Sequence, residues 1–225
     1  DVIGPVMRGP SSSHCAASLR IGRICHDLME GRISEIAIDF DPDGSLATTH
    51  KVQGSDMGLF GGFLGWEAYD ERLVDSEMHL GAAGIQVKIN IKELKEKHPN
   101  AYQVTLRNPW ESHQVIAIST GGGMIEVIEI DNVKVSLAGD SFVTLVYSKD
   151  SEKVADFLAQ SRPDTELEIP VKDKNLVVLK SQAFFDQSIL EELKEIEGVS
   201  AIKQIKPVLP VLTRKNTQVP FITCE

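Results

Sequence analysis

The chain is 225 residues long, with 42% hydrophobic and 25% charged residues and a formal net charge of −10 from 23 Lys and Arg against 33 Asp and Glu. Its ordinary globular composition, with no apolar run near the roughly 18–20 residues of a membrane helix and no basic-then-apolar leader, sets the expectation of a soluble, cytoplasmic protein without a membrane partner. The acidic balance argues against nucleic acid, whose phosphates are bound by clustered Lys and Arg. Cys15, Cys25 and Cys224 form no CxxC pair and are odd in number, which argues against a disulfide framework. Metal clusters take up to about four thiolates, so no metal site is expected within this chain.

A serine cluster, Gly9-Pro10-Ser11-Ser12-Ser13-His14, is followed by helical spacing over residues 14–30. Ala17, Ile21, Ile24, Cys25 and Leu28 recur three or four apart on one face, and Gly31 ends the run. Residues 33–40 alternate as a strand does, and Asp41-Pro42-Asp43-Gly44 reads as a turn. Residues 57–66 read as a second helix despite four glycines, whose cost to helix stability implies close packing or a nearby ligand. Strands are then expected at 85–91, 102–107 and 114–119, with a break at Pro99, and as a hairpin pair at 125–130 and 133–137. Strands mixed with helices in this order predict an α+β domain with a mixed sheet.

From Phe142 the order changes to a strand at 142–148, a helix at 151–160, strands at 165–171 and 175–180, a helix at 186–197 and a strand at 200–206. That is βαββαβ, the ferredoxin-like arrangement. The second of its helices places Ile189, Leu190, Leu193 and Ile196 on one stripe between Asp186 and Gly198. The expected division is a first domain at 1–141, a second at 142–207, and a proline-bearing tail at 208–225 that leads to a further domain or docks a separate subunit.

Three constellations could carry chemistry. Ser11, Ser12 and Ser13 precede a helix whose free N–H groups and positive dipole end favour a carboxylate or phosphate, and His14 adds a donor or proton carrier, with Arg8 upstream as a fixed charge. The alternative reading is one N-cap serine among loop residues. Thr49-His50-Lys51-Val52-Gln53-Gly54-Ser55-Asp56 again brings hydroxyls, a histidine and a lysine to the front of a helix, either as a second anion site or as a loop capped by Ser55 or Asp56. Ser119-Thr120-Gly121-Gly122-Gly123 allows close backbone approach to a ligand, or is simply a tight hairpin. His26 reads as a solvated residue of the first helix, and Cys25 as core. Cys15, in a first helical turn, has either a lowered pKa or, more commonly, a buried thiol.

These residues carry a resemblance. Asp1-Val2-Ile3-Gly4-Pro5-Val6-Met7, the serine cluster, and Arg20-Ile21-Gly22-Arg23 closely resemble the opening of the β chain, or β domain, of bacterial iron–sulfur L-serine dehydratases. The likeness continues through Gly54-Ser55-Asp56, Asp70-Glu71-Arg72, His98-Pro99-Asn100 and Ile118-Ser119-Thr120-Gly121-Gly122-Gly123. It implies deamination of L-serine to pyruvate and ammonia together with a catalytic α domain or subunit that holds a [4Fe–4S] cluster acting as Lewis acid. It further implies that Ser11, Ser12, Ser13 and His14, with Gln53, Gly54, Ser55, Asp56, Gly121 and Gly122, bind substrate or anion. His14, Ser12 and Ser13 would support catalysis at the α interface. The first domain is similar to the allosteric substrate-binding domain of certain phosphoglycerate dehydrogenases. The second is similar to ACT domains, which makes a homodimer the expected assembly.

Two positions depart from the family pattern. Gln53 stands where the family carries a histidine, and Gln can only hydrogen-bond; His50, three residues upstream, is the candidate substitute. Cys15 stands where threonine is usual. In the second domain, Tyr147-Ser148-Lys149-Asp150-Ser151 lacks the glycine-bearing turn of ligand-binding ACT domains, so packing competes with sensing as its role. Two other functions stay open: a non-catalytic amino-acid-binding regulatory or assembly module, and a dehydratase for a related hydroxy amino acid.

Overall fold

The computed structural model describes residues 8–161, 166–168 and 175–208, the three residues 166–168 as backbone only. The opening Asp1 to Met7, Cys224 and the tail from residue 209 lie outside the described residues. The first helix, α1, spans Ser12–Leu28 and so begins two residues before the sequence pattern suggests. It is followed by β1 (Glu35–Phe40), a single turn α2 (Leu46–Thr49), α3 (Ser55–Phe63), a 3-10 helix (Glu71–Asp75), α4 (Ser76–Ala82) and β2 (Gln86–Ile91). Strands β3 (Ala101–Arg107), β4 (Ser112–Gly121), β5 (Met124–Ile130) and β6 (Val133–Leu137) complete a six-stranded mixed sheet in the order β2-β1-β3-β4-β5-β6.

Only β1 and β2 pair in parallel, with Ile36 opposite Val87 and Ile38 opposite Ile89. Parallel neighbours need a long crossover, and α2, α3, the 3-10 helix and α4 all lie within it. The period of two decides which face is buried: along β6, Val133, Val135 and Leu137 point into the core while Lys134 and Ser136 point out. The apolar face of the sheet, including Ile36, Ile38, Tyr102, Val104, Val115 and Val127, packs with Ile21, Ile24 and Leu28 of α1.

The α3 glycines have a packing explanation. A Cβ on Gly58 would collide with the Cys15 carbonyl and the Ser18 hydroxyl, and one on Gly62 would collide with the Leu19 carbonyl. From the other side, a Cβ on Gly22 would sit 2.5 Å from the Leu59 carbonyl and 2.9 Å from the Gly62 Cα. The α1 and α3 backbones therefore touch. Residue numbers rise in the same direction along both helices at these contacts, so α1 and α3 run parallel and their N-termini lie at the same end. The same register, carried back one turn, sets Ser12 beside Ser55. His26, expected to be solvated, is instead half-buried. Its Nδ1 lies 2.8 Å from the Phe63 carbonyl, and Gly31 and Gly65 pack against its ring.

The second sheet contains β7 (Phe142–Ser148), β8 (Glu166–Glu168), β9 (Leu176–Ser181) and β10 (Val199–Ile205), ordered β10-β7-β9-β8 and wholly antiparallel. With α5 (Ser151–Ser161) and α6 (Gln187–Glu195) the element order is βαββαβ. Both faces of this sheet are apolar. Val146, Val177 and Leu179 pack with Val154 and Leu158 of α5 and Leu193 of α6, while Val143, Leu145, Leu176, Val178 and Ile205 join the core of the first sheet.

A buried polar cluster marks the same junction. His113 Nδ1 is 2.7 Å from Asp131 Oδ2, and the Tyr147 hydroxyl donates to that oxygen at 2.8 Å. Lys203, only 4% exposed, donates to Glu111 at 2.7 Å and lies 3.5 Å from Glu30. Burial opposes ionisation of Asp131. Its bonds from His113, the Gln114 amide and Tyr147 nonetheless hold it below the usual carboxylate range. Lys203 outweighs burial in the same way at Glu111.

Three stability measurements test this description. Gly58→Ala forces a methyl against the α1 backbone and is expected to cost about 2 kcal/mol or more in denaturant unfolding. Gly81→Ala in α4, where a Cβ meets nothing within 4 Å, is expected to be neutral or to stabilise by roughly 0.5 kcal/mol. The depressed carboxylates contribute stability that is complete above their unfolded pKa values near ~4 and is lost as pH falls through the lower folded values. Asp131→Asn should therefore lower Tm at pH 7 and flatten the decline of Tm in acid.

Candidate functional site

The three constellations meet at the shared end of α1 and α3. Ser11 is the α1 N-cap by backbone conformation, with φ −111° and ψ 106°, but no side chain caps the helix. Its hydroxyl instead lies 2.7 Å from His14 Nδ1, and its N–H donates to the Gln53 carbonyl at 3.3 Å, tying the first constellation to the second. Ser12 and Ser13 are the first two helical residues, not loop residues in front of the helix as their sequence suggested, and His14 is the third. The first α1 amide to find a partner is Cys15 N–H, which donates to the Ser11 carbonyl at 2.9 Å. Among the described residues nothing accepts from the N–H groups of Ser12, Ser13 and His14, and no acidic residue stands in the first turn.

The α3 terminus is finished differently. Gly54, at φ 81°, is its N-cap in place of the expected Ser55 or Asp56, which are the first two helical residues. The His50 carbonyl accepts from Ser55 N–H at 2.8 Å and Asp56 N–H at 3.4 Å, and Asp56 supplies a negative charge to the dipole. A second anion at the α3 amides is therefore not what this end is built for. Arg8 lies 3.5 Å from the exposed Glu71.

Gly121, Gly122 and Gly123 form the β4–β5 turn with φ of 104°, 61° and 82°, a left-handed run that only glycine adopts freely. The Gly123 carbonyl accepts from the buried Arg20 guanidinium, and a Cβ at Gly123 would lie 3.4 Å from Ala16 and 3.8 Å from the Ser13 carbonyl. The turn therefore abuts the first turns of α1. No described residue lies within 4 Å of a Cβ at Gly121 or Gly122, so their backbone is open beside it.

The site also contains residues that motif reading did not single out. Tyr102 is completely buried and its hydroxyl makes no hydrogen bond of regular geometry among the described residues. Burial pushes it up to about 12; the Ser55 hydroxyl is near enough to oppose that rise, although neither group makes a bond of regular geometry. Ser55 Oγ, itself fully buried, and Gln53 Oε1 likewise make no regular hydrogen bond among the described residues. His50 Nδ1 bonds Asp56 Oδ1 at 2.7 Å, and its ring packs on Phe40 at 5.1 Å, which meets Tyr102 edge-on at 5.6 Å. The signal for Tyr102 lay in its strand: it shares the inward face with Val104 and Leu106, where a phenol needs a partner that an apolar face does not supply.

Among the described residues, no three His, Cys, Asp or Glu side chains are grouped as a metal requires. Cys15 is buried and pushed up to about 11 by that burial, and burial drives Cys25 higher still. Alkylation of the native chain at pH 8 should accordingly leave Cys15 and Cys25 unmodified until denaturant is added, as read by peptide mass spectrometry.

No protein-family model matches the chain. It is 32% identical over 203 residues to a probable L-serine dehydratase β chain of Bacillus subtilis, covering 87% of this chain and 91% of that protein. It is 28% identical over 200 residues to the L-serine dehydratase β chain of Peptoniphilus asaccharolyticus, covering 86% and 89%. With identity at that level over nearly the whole of both proteins, the chain belongs to the family of L-serine dehydratase β chains.

Proposed function

We propose that this chain is the β part of an L-serine dehydratase, a cytoplasmic L-serine ammonia-lyase that forms pyruvate and ammonia with a catalytic α domain or subunit. In this reading the open N-terminus of α1 receives the substrate carboxylate at the α interface. The observation that carries the site is the first turn of a 17-residue helix whose amides find no acceptor among the described residues, free of acidic residues and flanked by exposed glycine backbone. The α part holds the [4Fe–4S] cluster, which when bound supplies a Lewis acid to the substrate hydroxyl.

The residues of this chain bind and orient. The amides and hydroxyls of Ser12 and Ser13 take the carboxylate. Gly121 and Gly122 let the backbone come close without a side chain in the way. His14, fixed by Ser11 at 2.7 Å, holds or moves a proton at its other ring nitrogen. Gln53 adds a hydrogen bond only.

A division near residue 141 into an allosteric-substrate-binding-like part and a ferredoxin-like, ACT-like part is the domain reading we adopt. Its support is the strand order β10-β7-β9-β8 of the second sheet. At the start of α5, Asp150 N–H donates to Ser148 Oγ and Asp150 Oδ1 accepts from Lys153 N–H, while Tyr147 is committed to Asp131. Those commitments favour packing over ligand sensing for this segment.

Ser12→Ala and His14→Ala are expected to lower L-serine turnover of the assembled enzyme by about tenfold or more while leaving Tm unchanged. Both side chains lie at the surface end of α1, so their loss opens no core cavity. Wild-type turnover in both variants, with the cluster intact, would refute the site.

A further inference from the structure

The two N-termini of the site differ in one respect that an α-amino acid, with one charge of each sign, can exploit. We propose that Asp56, held by His50, receives the ammonium group of an α-amino acid whose carboxylate sits on the Ser12 and Ser13 amides. The proposal rests on the α1 reading above and adds the group that makes the site read amino acids in preference to other carboxylic acids.

The geometry comes first. α1 and α3 are parallel and in backbone contact, so the open amides of α1 and the Asp56 carboxylate occupy the same end of one helix pair. Packed helices stand about 8–10 Å apart and closer where glycines meet. Two charge-assisted hydrogen bonds of about 2.8 Å each, with the short span of an amino acid between them, cover that distance.

The partners of Asp56 come second. Its Oδ1 is occupied by His50 Nδ1, which fixes the orientation of the carboxylate; its Oδ2 makes no hydrogen bond among the described residues. His50 is the sole basic group paired with it, and no Lys or Arg forms a salt bridge to it among the described residues. At this same end of α3 the fully buried Ser55 Oγ and Tyr102 Oη lie near one another without a hydrogen bond of regular geometry, and Gln53 Oε1 makes none among the described residues.

The cost to the fold comes third. Burial raises the Asp56 pKa and Glu77 adds to the rise, against the opposing effects of His50 and Lys51. The folded chain therefore binds this proton more tightly than the unfolded chain, and ionised Asp56 weakens the fold at neutral pH. A ligand ammonium would offset that penalty, and a group retained against stability is characteristic of a binding site.

The test is a titration of the full ¹⁵N-labelled chain, wild type and Asp56→Asn, with L-serine and with 3-hydroxypropanoate, which is serine without its amino group. Both ligands should shift the Ser12 and Ser13 amides of the wild type, with L-serine binding about tenfold more tightly. Asp56→Asn should weaken L-serine by about tenfold, leave 3-hydroxypropanoate within about a factor of two, and unfold at or above the wild-type Tm. Equal wild-type affinities, an unchanged L-serine affinity in the variant, or equal weakening of both ligands would overturn the ammonium assignment and leave the α1 site standing. Failure of both ligands to move the Ser12 and Ser13 amides would overturn the α1 site, and the assignment with it.

Discussion

The backbone contact between α1 and α3 is the constraint on which the rest of the molecule depends. Gly22, Gly58 and Gly62 remove the side chains that would hold the helices apart, and the backbones close to a distance that no other residue permits. Glycine inside a helix costs roughly 0.8–1 kcal/mol relative to alanine, so three of them are retained against local preference for what the contact achieves. The contact fixes the register of two helices that are far apart in sequence, and that register brings their N-termini together.

Two parallel helix N-termini side by side put two positive dipole ends in one place, an unfavourable arrangement unless negative charge answers it. The protein answers at α3 from within, with the His50 carbonyl and Asp56, whereas no described residue answers at α1. The glycine turn between β4 and β5 then covers one flank of α1 through Arg20 and leaves Gly121 and Gly122 uncluttered. Loops placed by a rigid scaffold are where binding residues concentrate, and here the scaffold is the helix pair itself.

Much of this architecture was legible in local pattern. The apolar stripe of α1, the alternation in β1 and β6 and the stripe of α6 each announce an element whose face is determined by its own period. What escaped was short or non-local. α2 has four residues, and α4 buries only Ser76 and Leu80, too little to write a period. Ser12 and Ser13 look like loop residues because serine is a poor helix interior residue, and only the structure places them in the first turn. The burial of Tyr102 depends on Phe40 and Ser55, which are distant from it in sequence and which no spacing within its own strand encodes. The converse holds for the three motifs: each was visible as a motif, and only the family resemblance, not spacing, pointed to their convergence.

The second sheet has no solvent-facing side on its central strands, since α5 and α6 cover one face and the core of the first sheet covers the other. A hinge between the two parts would have to pull Val143, Leu145 and Ile205 out of that core and expose Lys203 among its carboxylates. Rigid-body swivelling is therefore closed to this chain as a way of passing information. Any influence of the second part on the α1 terminus has to pass through this shared core, the Tyr147 and Lys203 polar bonds and the α1–β10 contact, all of which resist large displacement.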